Sequence, residues 1–272
     1  MDKKKQLLLN LFAFSEKPRR GKLLIENRII KRPLSSVGAT CKKKIMNKDF
    51  EAFKKDILWF ISQSDKIEFL ETENKLKVSE KFQNTFPVLS DLIGKARVLN
   101  LKINDTFYKL FSWTNKDGLS CGWLNKMEEN PNTNLNLIDE HRLLLNEIGG
   151  IQESYNQPEP SLSNNQEFMF IESECTLGIN DWDDYYEEEC NNHNCSPIDF
   201  KDFICFVVEA NGDATLYNPE TKEVFLFAHD HYFENVEFVE NQPEYTFHKI
   251  NGVTNFADYV ETLAAEWKNE IK

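Results

Sequence analysis

Apolar positions recur at helical spacing over residues 47–63. Phe50, Phe53, Ile57, Phe60 and Ile61 line one face, Leu58 and Trp59 widen it, and Asn47 supplies an N-cap. Residues 67–82 read instead as a hairpin, with Ile67 and Phe69, a polar turn at Glu73-Asn74, then Leu76 and Val78. Residues 84–101 carry a short helix after Pro87, and residues 106–114 and 119–124 predict two strands joined at Asn115-Lys116-Asp117-Gly118. Upstream, residues 22–32 mix apolar pairs with charge, stop at Pro33 and read as a strand.

Beyond a polar stretch at 125–136, the pattern turns to a helix at about 138–148. Ile138, Leu144, Leu145 and Ile148 are its apolar positions, and Gly149-Gly150 stops it. Phe168–Ile171 is a short strand. Three more strands, at 203–209, 214–218 and 223–228, are separated by Asn211-Gly212-Asp213 and by Pro219-Glu220-Thr221-Lys222. A last helix over about 254–270 has Thr254 as its cap and Phe256, Tyr259, Val260, Leu263 and Trp267 as its buried stripe. Strands in a meander between helices predict an α+β fold, an antiparallel sheet flanked by helices, with an N-terminal α+β extension or domain.

Composition sharpens this. At 40% hydrophobic and 12% aromatic, the 272-residue chain can fill a core, so disorder over its whole length is excluded. No fixed-period repeat suggests a solenoid. No apolar run reaches the ~18 residues of a membrane span. Lys3, Lys4 and Lys5 precede an apolar run over 7–14, but Asn10 interrupts it and Lys17, Arg19 and Arg20 follow, which favours a helix or strand over an export signal. Six cysteines without a Cys-x-x-Cys pair suit a reduced, cytoplasmic protein.

The net charge of −13 divides unevenly. Residues 1–60 carry 16 basic and 6 acidic side chains, residues 61–134 carry 10 of each, and residues 135–272 carry 6 basic and 29 acidic. The sign changes at the Asn/Pro-rich stretch, which places a boundary at 134/135: a basic-to-neutral region 1–134 and an acidic domain 135–272.

The acidic half resembles the SUKH superfamily, in the branch similar to the yeast cell-wall-synthesis regulator. The likeness rests on the helix ending in Gly149-Gly150 and on Gly212-Asp213 leading through a strand and the Thr221 turn to His229-Asp230-His231. The aromatic-led final helix at Phe256 is the third feature. Two features depart from the pattern: the usual Leu-Pro-x-x-Tyr before the Gly-Gly helix is replaced by Leu137–His141, and Lys222 stands where Gly is common. The resemblance implies a non-enzymatic binding protein. Bacterial members are commonly immunity proteins that neutralise a cognate polymorphic toxin, often a nuclease.

Asp181, Trp182, Asp183, Asp184, Tyr185, Tyr186, Glu187, Glu188 and Glu189 combine carboxylates with aromatics. This suits a face that mimics phosphates against a basic toxin cleft; the alternative is a solvated segment. Cys190, His193 and Cys195 offer three zinc ligands and would need a fourth from Cys175, Cys205 or His229, a weaker pattern than paired ligand pairs. His229 and His231 alternate onto one side of a strand end and would need a carboxylate to hold a metal. Neither reading implies a resident metal or cofactor, and no nucleotide-loop or hydrolase motif supports an enzyme. The basic clusters from Lys17 to Lys48 offer a second reading, a regulator that binds nucleic acid through phosphates, against the alternative of a solvated basic surface.

Overall fold

The side chain of Asn47 accepts hydrogen bonds from the backbone N–H groups of Asp49 and Phe50 and starts helix α1 (Lys48–Asp56). The computed structural model describes residues 47–73, 76–129, 131, 134–159, 162, 166–230 and 235–272. The strand expected at 22–32 and all but Lys48 of the basic clusters lie outside them. Helix α1 ends before the apolar pattern does: Ile57 is its C-cap, and Leu58 and Trp59 are exposed.

The hairpin expected over 67–82 is not formed. Strand β1 (Ile67–Glu73) pairs with β2 (Arg97–Ile103), and Ser79 caps a helix instead, its Oγ accepting from Phe82 N–H at 3.2 Å. That helix, α2 (Glu80–Thr85), places Phe82 and Phe86 one turn apart, both fully buried, with ring centroids 5.2 Å apart. A capped turn carrying an aromatic pair at i,i+4 outweighs the weak strand alternation of Leu76 and Val78. Pro87 then opens α3 (Pro87–Gly94).

Strands β2, β3 (Thr106–Thr114) and β4 (Ser120–Met127) form an antiparallel meander whose alternation separates two cores. Leu99, Leu101, Leu110 and Leu124 pack with Phe50 and Phe53 of α1. Val98, Phe111, Trp113 and Trp123 face the other way, into the larger core. Helix α4 (Asp139–Ile148) follows, and β5 (Gly150–Tyr155) returns to pair with β4, so strands on both sides of the Asn/Pro-rich stretch share one ladder. The Gly-Gly stop has a steric cause. Gly149 has φ +75°, a Cβ on it would lie 2.4 Å from the Lys126 carbonyl oxygen, and one on Gly150 would lie 2.6 Å from the Ile171 side chain.

The chain continues through β6 (Gln166–Met169), β7 (Thr176–Leu177), α5 (Asp183–His193), β8 (Ile204–Glu209), β9 (Ala214–Tyr217), β10 (Val224–Phe227), β11 (Val236–Phe238), β12 (Phe247–Ile250) and α6 (Phe256–Glu270). Among the described residues the result is a twelve-stranded antiparallel sheet in the order β1-β2-β3-β4-β5-β6-β8-β9-β10-β12-β11, with β7 also on β8, combined with helices in a mixed α+β fold. Asn255, rather than Thr254, caps α6: its side chain accepts from Asp258 N–H while the Asp258 carboxylate accepts from the backbone N–H groups of Thr254 and Asn255. The expected stripe of α6 is buried, and Trp267 meets Trp113 and Trp123 at 5.7 and 5.2 Å. No helix among the described residues is long and apolar enough to cross a membrane.

Candidate functional site: the strand-end cluster and the acidic helix

The turn between β8 and β9 is built by Asn211. Its Oδ1 accepts from Asp213 N–H at 3.2 Å, and its Nδ2 donates to Asp213 Oδ2 at 2.8 Å. Gly212, at φ +95°, lets the chain reverse. The side chain of Asp213 is thereby carried inward and is fully buried. The end of β10 delivers His229 to the same place. Its backbone N–H donates to Asp213 Oδ1 at 3.4 Å, and its ring Nδ1 lies 3.2 Å from that oxygen. The ring contact is close but lacks the alignment of a hydrogen bond. Asp230, more exposed, completes the group: one ligand atom from each of the three side chains lies within 4.8 Å of the others.

Trp182 closes the cluster from above. Its indole stacks on the His229 ring with centroids 3.7 Å apart and planes at 22°, and its Nε1–H donates to the Gly212 carbonyl at 3.1 Å. A Cβ on Gly212 would approach that indole to 3.2 Å, so glycine serves both the turn and the stack. The Tyr185 hydroxyl donates to the carbonyls of His229 and Tyr245, and burial pushes its pKa up to about 12. Two of the aromatics singled out in the acidic segment thus rest on the strand-end residues of the family-like signature, two features that no spacing in the sequence connected.

Glu209, at the end of β8, was not among the candidate site residues. Its carboxyl is pushed up to about 8, first by burial and then by the charges of Asp213 and Asp230. A sequence signal existed, since a Glu ending a strand of five apolar residues is hard to solvate. Its proximity to Asp213 and Asp230 was not legible.

Residues 183–193, within a segment expected from its acidic and polar residues to be a loop, instead form helix α5. Tyr186 and Cys190, one turn apart, are its buried face. Tyr186, expected among the partner contacts, lies in the core: it is 1% exposed, its ring lies 5.1 Å from that of Phe247, and its hydroxyl donates to Gln242 and accepts from Ile198 N–H. Asp181, Asp183, Asp184, Glu187 and Glu188 are exposed, and none makes an ion pair among the described residues. Glu189 is half-buried and lies 3.7 Å from His193 across one turn.

The other candidates lie apart in role. Gly149 and Gly150 form the helix–strand junction. Thr221 is exposed in the β9–β10 turn, its N–H donating to Asn218 Oδ1 and its Oγ1 accepting from Glu223 N–H. Lys222 beside it has φ +64°, which explains why glycine suits that position. The Cys190–His193–Cys195 set does not converge on one point. His193 turns its Nδ1 to the Glu189 carbonyl at 2.9 Å, while Cys190 is buried beside Gln242. Cys175 and Cys205 are buried, with Cys205 on the Val207 carbonyl. His231 lies outside the described residues, as does any pairing of it with His229. Comparison with protein-family models, curated proteins and solved structures gives no match to this chain.

Proposed function

We propose that the chain is a protein-binding module of SUKH type, an immunity protein that neutralises a basic toxin domain by stoichiometric binding rather than turnover. One observation carries this reading: the outward face of α5, with Asp183, Asp184, Glu187 and Glu188 exposed and lacking ion pairs among the described residues. Asp183–Glu187 and Asp184–Glu188 are like-charge pairs at i,i+4, each of which costs a helix roughly 0.2–0.5 kcal/mol. The first two gain from the helix N-terminus, but the second two lie beyond its reach. A helix that holds four uncompensated carboxylates on a rigid base of Tyr186 and Cys190 is arranged to meet cations from outside. Such a patch accelerates encounter with a basic partner and weakens with salt. Trp182 and Tyr185 frame the patch as half-buried aromatics.

The test is capture from the native cell followed by a protection assay. Wild-type chain should retain a protein with a basic C-terminal domain that arrests growth when expressed alone and is tolerated with this chain. The variant Asp183→Asn/Asp184→Asn/Glu187→Gln/Glu188→Gln should lose both capture and protection at unchanged thermal stability. A variant that captures and protects like wild type would remove α5 from the interface. A captured partner without toxicity would refute the immunity role.

A further inference from the structure

We propose that Asp213, His229 and Asp230 form a binding site for a divalent transition-metal ion, with zinc the best fit. The donors are an imidazole nitrogen and two carboxylates, a mixed set that suits zinc and that calcium or magnesium, which prefer all-oxygen shells, do not favour. The spacing agrees with the chemistry. Zinc bonds of about 2.0–2.1 Å at a tetrahedral angle place neighbouring ligand atoms about 3.3 Å apart, and Nδ1 of His229 lies 3.2 Å from Oδ1 of Asp213. These two atoms are close without being hydrogen-bonded, and Nδ1 is a buried ring nitrogen with no hydrogen-bond partner. A neutral imidazole offers a lone pair there, as metal binding requires.

Three further features make this a built site. His229 is held in orientation by the Trp182 stack at 3.7 Å, and Asp213 by the Asn211 side chain at 2.8 Å, the kind of supporting contact that fixes ligands. Glu209 is a third acidic side chain beside the group, its backbone N–H 2.9 Å from the Asp213 carbonyl: it is 9% exposed, and its side chain makes no hydrogen bond or ion pair among the described residues. Asp213 is a carboxylate with no exposed surface, and a divalent cation would offset its charge. Three protein donors leave a fourth position for water. Zinc there would tie the β8–β9 turn to the end of β10 and, through Trp182, to the start of α5. This site stands independently of the proposed immunity role.

The experiment uses the full chain, freed of metal with a chelator, and calorimetric titration with zinc chloride. Wild type is expected to bind about one zinc ion per chain, and a Cys195→Ser chain to do the same. Asp230→Asn, at a surface position, and His229→Gln should each weaken binding at least ~10-fold while melting as cooperatively as wild type. The Nδ1 resonance of His229 should shift on zinc addition. No saturable uptake up to about 100 µM zinc would overturn the proposal. So would equal binding by Asp230→Asn and His229→Gln, or loss of binding in Cys195→Ser, which would place the zinc on thiols.

Discussion

His141 is the buried polar group on which the helix before the Gly-Gly stop depends. It has no exposed surface, stacks on Phe256 at 4.7 Å, and places Nε2 2.7 Å from the Phe170 carbonyl and Nδ1 3.3 Å from the Tyr217 hydroxyl. These partners suit a neutral ring with the proton on Nε2, a tautomer inferred from the contacts. Burial lowers its pKa to about 4, with Arg142 adding a smaller push downward and the Phe170 carbonyl opposing. The unfolded chain, near the ordinary value of about 6.5, then binds a proton that the folded chain refuses. The stability this site supplies is complete above about pH 6.5 and is lost as pH falls towards 4. Urea unfolding at pH 7, 5.5 and 4.5 should show the stability difference between wild type and His141→Gln shrinking as pH falls; a difference constant with pH would contradict the neutral assignment. Gly212→Ala is a second test at this scale. At φ +95° under Trp182, a methyl group should cost about 1–2 kcal/mol in urea unfolding. The sequence marked Gly212, Asp213 and His229 through turn chemistry and family likeness. It could not mark Glu209 or the burial of His141, because both depend on strands brought together from far along the chain.

Elements were legible where the local signal was undivided. The β3–β4 and β8–β9–β10 meanders and the stripe of α6 follow their periodicity closely. Where two local signals competed, the stronger prevailed: Ser79 and the Phe82–Phe86 pair made a helix of an expected strand, and the short β11 and β12 were missed because they lack a run long enough to read. Helix α6 is anchored by the three-tryptophan cluster on β3 and β4. Trp267→Ala should therefore destabilise the protein by about 3–5 kcal/mol in denaturant unfolding, and a loss under 1 kcal/mol would mean that α6 docks by other contacts. In α5 the expectation runs the other way. Glu187→Gln/Glu188→Gln relieves two like-charge pairs and should raise thermal stability slightly at low salt, with the gain fading at high salt. A clear loss of stability would show that these carboxylates serve the fold.

Over the whole chain, the uneven charge is the property that the sequence showed most plainly. Residues 135–272 hold 29 acidic against 6 basic side chains, and much of that excess is solvent-facing on α5 and the turns. Among the described residues, the buried acidic side chains, Asp213 and Glu209, sit side by side instead. The split between an outward acidic face and an inward cluster could not be read from composition, since both draw on the same residue types. The central claim is that the outward face recruits a basic protein. It is tested most directly by the association rate of this chain with its captured partner domain, measured against ionic strength for wild type and for the variant lacking the four α5 charges. The account predicts a wild-type rate that falls steeply with salt, and a variant rate that is lower and nearly flat. Equal rates with equal salt dependence would contradict it.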